Sequence, residues 1–232
     1  MSHERPRCMP LTIAVTAAIL VLPQCSALAR SWDYSLTAAA SSRYDYRVDE
    51  HSYGTYTSSL GPGFAITGSA ARSVSRHVSL VLSGGYRRYS AELGTAGIPE
   101  APPTTGDLRA EYFSVGAGLK IEPRQGAGFY TQVLPALFVS RWGQNTVDQE
   151  GWNMLTGTWQ QRATHTASFK SALPGIELSG GFRARFSSAL GTDFALRYTR
   201  SADLGEHALG SSSGDFRGLN ELALVGGITW SP

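Results

Sequence analysis

Residues 219–230 read LNELALVGGITW, with Leu222, Leu224, Gly226, Ile228 and Trp230 on every second position, two residues before the end of the chain. A side-chain period of two marks a strand with one apolar face. The same alternation recurs over residues 32–46, 63–73, 78–89, 108–122, 128–142, 176–186 and 192–200. Counting the closing stretch, that makes eight strand-like segments, and no helical period of comparable length competes with them.

The other end of the chain reads as an export signal. Arg5 and Arg7 precede an apolar run, Leu11 to Leu22, and Ala27-Leu28-Ala29 follows as a small-residue cleavage site. The run is too short to span a bilayer as a helix. Residues 1–29 are therefore predicted to be a cleaved signal peptide and residues 30–232 a single domain. Lipoprotein processing at Cys25 is the competing reading, but Pro23 and Gln24 stand where small residues are needed. Cleavage removes Cys8 and Cys25, the two cysteines of the chain, so no disulfide or thiolate chemistry is expected.

Beyond residue 30 no apolar run approaches the roughly 18 residues of a membrane helix. A chain of this kind enters a membrane as a closed barrel, because an open sheet edge is left unsatisfied in lipid. Charged residues make up 16% of the chain, against about 25% in typical soluble domains. Without Glu4, Arg5 and Arg7 the balance is 18 basic to 17 acidic residues, or +1, which gives no field for nucleic acid.

Connection lengths alternate. Short ones fall at 74–77, 123–127 and 187–191, and long ones at 47–58, 91–107, 144–169 and 201–218. The expected fold is all-β, an eight-stranded antiparallel up-and-down transmembrane β-barrel, with the third long connection either holding a further hairpin above the membrane or raising the count to ten strands. Both termini then share the short-turn end, with Trp32 beside Trp230. Two aromatic girdles result. Trp32, Phe129, Tyr130, Phe186, Phe194 and Trp230 lie at one rim. Tyr44, Tyr86, Tyr112, Phe113, Trp142 and Tyr198 approach the other. Pro135 breaks the fifth segment, and a bulge is expected there.

The opposite faces of the strands carry Asp33, Arg43, Arg87, Lys120, Glu122, Glu177, Arg183, Arg185, Asp193, Arg197 and Glu221. Small residues fill most other inward positions. Eight strands enclose an interior just wide enough for side chains. Mixed charges there are expected to pair into a polar plug, with a narrow solute path as the alternative.

On the alternating strands, the closing aromatic strand and the girdles, the chain resembles the small outer-membrane barrels typified by the OmpA transmembrane domain and OmpX. The resemblance covers residues 30–232 and rests on pattern rather than an exact motif. It implies a location in the outer membrane with both termini periplasmic. It also implies lipid and lipopolysaccharide as surroundings and the barrel-assembly machinery as a partner. The departures are Pro135 and the Ser231-Pro232 tail.

Chemistry is sparse. His51, His165 and His207 lie in long connections with several acids nearby, without metal-ligand spacing. His77-Val78-Ser79 is the nearest match to the His and Ser of lipid A-modifying barrel enzymes, but at the periplasmic end. Gly61-Pro62-Gly63 and Gly180-Gly181 precede no helix and are not phosphate cradles. No cofactor, metal or enzymatic activity is expected. The expected role is structural or interactive, through surface loops that engage an unknown ligand. Trp152 and Trp159, with Trp142, are the candidate contact patch. The alternatives are passive transport of small apolar molecules with a lateral exit at Pro135, as in the OmpW type, and a lipid A-modifying enzyme.

Overall fold

The computed structural model describes residues 32–41, 44–50, 54–60, 63–94, 104–123, 128–209 and 212–232. The predicted signal peptide, Arg43 and His51 lie outside them.

Twelve strands are described. They are β1 (Trp32–Ser41), β2 (Tyr44–Glu50), β3 (Gly54–Leu60), β4 (Gly63–Ser73), β5 (Val78–Gly94), β6 (Thr104–Ile121), β7 (Gly128–Asn153), β8 (Thr158–Arg185), β9 (Leu190–Ser201), β10 (Gly205–Leu209), β11 (Ser212–Phe216) and β12 (Asn220–Trp230). Eight of them close a barrel in the order β1-β12-β9-β8-β7-β6-β5-β4, every pairing antiparallel. The long connections hold extra strands above the barrel: β2 pairs with β3, and β10 with β11. The third long connection adds no barrel strand. It prolongs β7 and β8 into one hairpin of 26 and 28 residues.

Alternation sorts each strand's residues to two faces. Ala65, Thr67, Val81, Arg87, Lys120, Glu177 and Glu221 point into the barrel and are buried. Leu80, Leu82, Phe113, Val115, Leu119, Val133, Leu137, Leu178, Leu224 and Ile228 point outward and are exposed. The outer wall is thus apolar and exposed, while the buried charges of the barrel lie on its inner face.

The short turns satisfy their own backbone. In the 74–77 turn, the Val74 and Ser75 amides both donate to the Val78 carbonyl at 3.0 Å. In the 186–189 turn, the Ser187 hydroxyl accepts from the Leu190 amide at 3.0 Å, a side-chain mimic of a backbone turn. At the far end of the β7–β8 hairpin, Gly157 takes φ +64° and lets a four-residue loop reverse the chain.

Closure differs from expectation in one detail. Trp230 pairs with Tyr34, stacked at 5.7 Å, while Trp32 pairs with Arg72. The bulge expected at Pro135 is absent. Gly116↔Ala136 and Leu119↔Val133 keep one register on β6, and Leu134, Pro135 and Ala136 pair continuously with Glu177, Ile176 and Gly175 on β8. Pro135 points outward, and the two pairs between the β6 anchors are unformed. The missing N–H of proline is thus accommodated by skipped pairing rather than by an inserted residue.

Glycine lets β6 stay close to β7 within that gap. A Cβ on Gly118 would lie 2.0 Å from the Val133 carbonyl oxygen. Gly118→Val is expected to destabilise the barrel by about 1–3 kcal/mol through overpacking, read as a lower urea midpoint for loss of the compact band on unheated detergent gels.

Candidate functional site: the barrel interior

The interior is built in three layers, and the registry of the strands decides each. At the short-turn end, Arg183 on β8 lies directly across from Asp193 on β9. Its guanidinium is 3.7 Å from Asp193 and 3.6 Å from Asp33, and Arg185 reaches Asp33 at 3.6 Å. The Tyr130 hydroxyl donates to Asp193 at 2.7 Å. Lys120 lies 3.3 Å from Glu122 and sits 4.4 Å from the centre of the Tyr130 ring. Ser231 bonds Asp33, which ties the chain's tail into this layer.

In the middle, Glu177, Thr199 and Glu221 form one row across β8, β9 and β12. Arg87 comes from β5, on the opposite wall, and crosses the lumen to reach them. It bonds Glu177 at 2.8 Å, lies 3.3 Å from Glu221, and also donates to Thr199 and Ser114. All three charged side chains of this strut are essentially fully buried. Arg197 spans a second chord to Thr67 at 2.7 Å and Thr37 at 3.2 Å. Five acids (Asp33, Glu122, Glu177, Asp193, Glu221) thus meet five bases (Arg87, Lys120, Arg183, Arg185, Arg197), so the described lumen charges cancel. Burial of so many charges is tolerable because each has an opposite charge or hydrogen-bond partner close by.

The third layer, at the long-loop end, is apolar. Tyr89, Leu108, Tyr112, Phe138, Trp142 and Leu173 turn inward and pack with Leu204, Phe216 and Leu219. These last three come from the connection between β9 and β12. That connection is held down by the Ala202 amide on the Pro174 carbonyl at 2.8 Å and by the Leu219 amide on the Ser201 hydroxyl at 2.8 Å. Trp142 stacks on Phe169 at 6.0 Å and meets Phe216 edge-on at 5.3 Å. Arg87 lies 5.7 Å from the Phe138 ring and joins the apolar cap to the charged strut.

Several sequence-derived assignments are revised by these positions. Trp142, placed in an outer girdle by its spacing, is 0% exposed and belongs to the cap; Tyr112 and Tyr130 also face inward. Small residues do not fill the upper lumen; aromatic rings do. The girdle residues Trp32, Tyr86, Phe113, Phe129, Phe186, Phe194, Tyr198 and Trp230 lie on the outer wall or at its lower rim. For Tyr44, Trp152, Trp159, His165 and His207 the backbone alone is described. Register places Trp152 across from Trp159, and His165 and His207 on different hairpins. His77 sits exposed in the 74–77 turn, its amide 3.4 Å from the Ser75 hydroxyl, at the end opposite the long loops.

The cap residues of the β9–β12 connection escaped the sequence reading. Their signal was Leu204 and Phe216, apolar residues in the polar connection 201–218, with Leu219 at the start of the closing segment. Outside, a shallow groove of about 760 Å³ lies over Gly180 and Gly226, between Phe129, Phe182, Phe194, Leu196 and Leu224.

Arg87→Met is expected to cost about 3–5 kcal/mol, because it leaves Glu177 and Glu221 buried without their cation. Adding Glu177→Gln and Glu221→Gln should recover part of that loss, a coupling that urea midpoints of the four-variant cycle measure directly.

No protein-family model and no curated relative matches the chain by sequence. Similar solved structures exist. Neisserial surface protein A is 14% identical, with a TM-score of 0.42 over 86% of this chain and 97% of that one. Ail of Yersinia pestis, solved with the heparin analogue sucrose octasulfate, is 12% identical, with a TM-score of 0.37 over 86% of this chain and 99% of that one. The outer-membrane protease OmpT of Escherichia coli is 8% identical, with a TM-score of 0.36 over 88% of this chain and 97% of that one. These likenesses concern architecture, and one architecture hosts many activities. In fold, the chain is similar to small outer-membrane β-barrels.

Proposed function

We propose that this protein is a closed, non-enzymatic outer-membrane barrel that carries the β7–β8 hairpin as a surface contact element. The observation that supports it most is the sealed interior together with the tall hairpin above it. Charged struts cross the lower and middle lumen, and an aromatic cap fills the upper lumen. Together they occupy the described lumen from the short-turn end to the mouth, which supports a closed interior. The reading of Pro135 as a lateral exit is weakened because Gly118, in one of the two unformed pairs, still lies close against the β7 backbone.

A closed barrel with an apolar wall fits a bilayer, where each backbone polar group must be paired within the protein. On β7 the outward residues from Phe129 to Val139 span ten steps, or about 33 Å along the strand. At the usual tilt that is about 25 Å of height, the thickness of the apolar band on barrels of this kind. In this reading the short-turn end and both termini face the periplasm, behind an export signal at residues 1–29.

Above the cap the hairpin continues for the eleven residues from Gly143 to Asn153, ten steps or about 33 Å of strand. Its tip exposes Met154 and Leu155 at 91% and 98%, next to the Trp152↔Trp159 pair. Apolar groups held this far from the barrel do nothing for its packing, and they suit contact with a ligand or a neighbouring surface. Neither a cofactor nor a metal enters this reading.

Reconstituted in planar bilayers, the protein is expected to show no steady single-channel current. Step conductances in the unmodified protein would favour transport instead. Replacing Trp152, Met154, Leu155 and Trp159 by Ser should abolish attachment of whole cells to their target surface while the heat-dependent gel shift persists. Unchanged attachment would move the contact to another loop.

A further inference from the structure

The tip of the β7–β8 hairpin stands apart from the sheet that carries it. β6 accompanies β7 as far as Thr104↔Asp148, and beyond that pair β7 is laddered to β8 alone among the described strands. The β7–β8 register shifts between Asp148 and Gln149 and again between Glu150 and Trp152. Such irregularities twist a strand edge and blunt it against an added strand. The tip is therefore poorly suited to pair with a partner's extended backbone. What it offers is its end.

Composition changes along that end in one direction. Residues 151–161 read GWNMLTGTWQQ and carry no charge, with Glu150 and Arg162 the first charged residues on the two arms. Met154 and Leu155 sit at the apex and are almost fully exposed. Register sets Trp152 directly across from Trp159, next to the Asn153↔Thr158 pair that adjoins the turn. Trp152 is two steps and Glu150 four steps from Met154, about 7 Å and 13 Å of extended chain. An apolar apex, then tryptophan, then charge is the order in which a bilayer passes from hydrocarbon through interface to water. Contact with a protein pocket requires no such order along both arms.

We propose that this tip inserts into the lipid surface of an apposed membrane. This rests on the contact reading above and names its partner as a bilayer. Interfacial elements bury their apolar part about 5–10 Å deep. That depth carries Met154 and Leu155 toward the acyl chains, leaves Trp152 and Trp159 at headgroup level and keeps Glu150 and Arg162 in water. Little ordering cost opposes insertion, because the two arms are already paired. With no net charge over 150–162, the tip is served by zwitterionic lipid.

The test mixes the full barrel in nanodiscs with phosphatidylcholine vesicles that have brominated acyl chains, and reads co-flotation and tryptophan quenching. The unmodified protein is expected to float with the vesicles and to lose part of its tryptophan emission. M154D/L155D should float about tenfold less or worse, because it places charge where hydrocarbon is required. W152F/W159F should lose most of the quenching, which assigns that signal to the tip. Phosphatidylglycerol vesicles should capture no more protein than phosphatidylcholine vesicles do. No flotation of the unmodified protein, M154D/L155D flotation within about twofold of it, or capture by phosphatidylglycerol alone would each overturn the assignment. Should M154D/L155D lose the heat-dependent gel shift, M154S/L155S decides by the same readout. If vesicles are not bound but the fourfold serine variant still abolishes cell attachment, the lipid partner falls and the contact reading stands. Unchanged attachment in that variant removes the contact reading itself.

Discussion

Pairing of β1 with β12 leaves the barrel sheet without an edge, and the rest of the architecture depends on that closure. Once every strand has two neighbours, the backbone is satisfied within the wall. Side chains then need only divide between two environments. The wall can be apolar on its outer face because, outside the two unformed β6–β7 pairs, its strands are paired on both sides. The same closure creates a narrow interior that must be filled, and eight strands leave room for side chains rather than for a channel.

How the interior is filled follows from which strands face each other. Arg87 on β5 stands across the barrel from the Glu177–Thr199–Glu221 row on β8, β9 and β12. A long, planar, permanently charged side chain is suited to bridge that gap, because it reaches two carboxylates and a hydroxyl at once. The strut joins walls far apart in sequence and resists flattening of the barrel. At the short-turn end, cross-strand neighbours such as Arg183 and Asp193 do shorter-range work and anchor the tail through Asp33 and Ser231.

The sequence disclosed the strands, their order and the inward charges wherever the two faces differ in polarity. On β6, inward Ser114, Gly116 and Gly118 alternate with outward Phe113, Val115 and Leu119, and the phase is plain. On β7 it is not, since Leu134, Phe138 and Trp142 point in while Val133, Leu137 and Val139 point out. The cause is physical: the upper lumen is itself apolar, so hydrophobicity no longer separates inside from outside. Trp142 was misplaced for that reason. A hairpin in the third connection is one of the sequence's alternatives, but that it prolongs β7 and β8 is obscured by the converse effect. Over residues 144–153 and 158–165 polar residues occupy both phases of the sequence, which erases the period.

The cap also explains why the loops differ in their availability. The β9–β12 connection turns Leu204, Phe216 and Leu219 down into the barrel mouth, and its backbone is fastened to Pro174 and Ser201. Apolar residues used as a cap are withdrawn from the surface. The β7–β8 hairpin has the opposite arrangement: its lower part joins the cap through Trp142 and Phe169, while Met154 and Leu155 at the tip stay exposed. Rigid anchoring below and apolar exposure above are what a contact element needs, because the ordering of its strands is already achieved before a partner arrives.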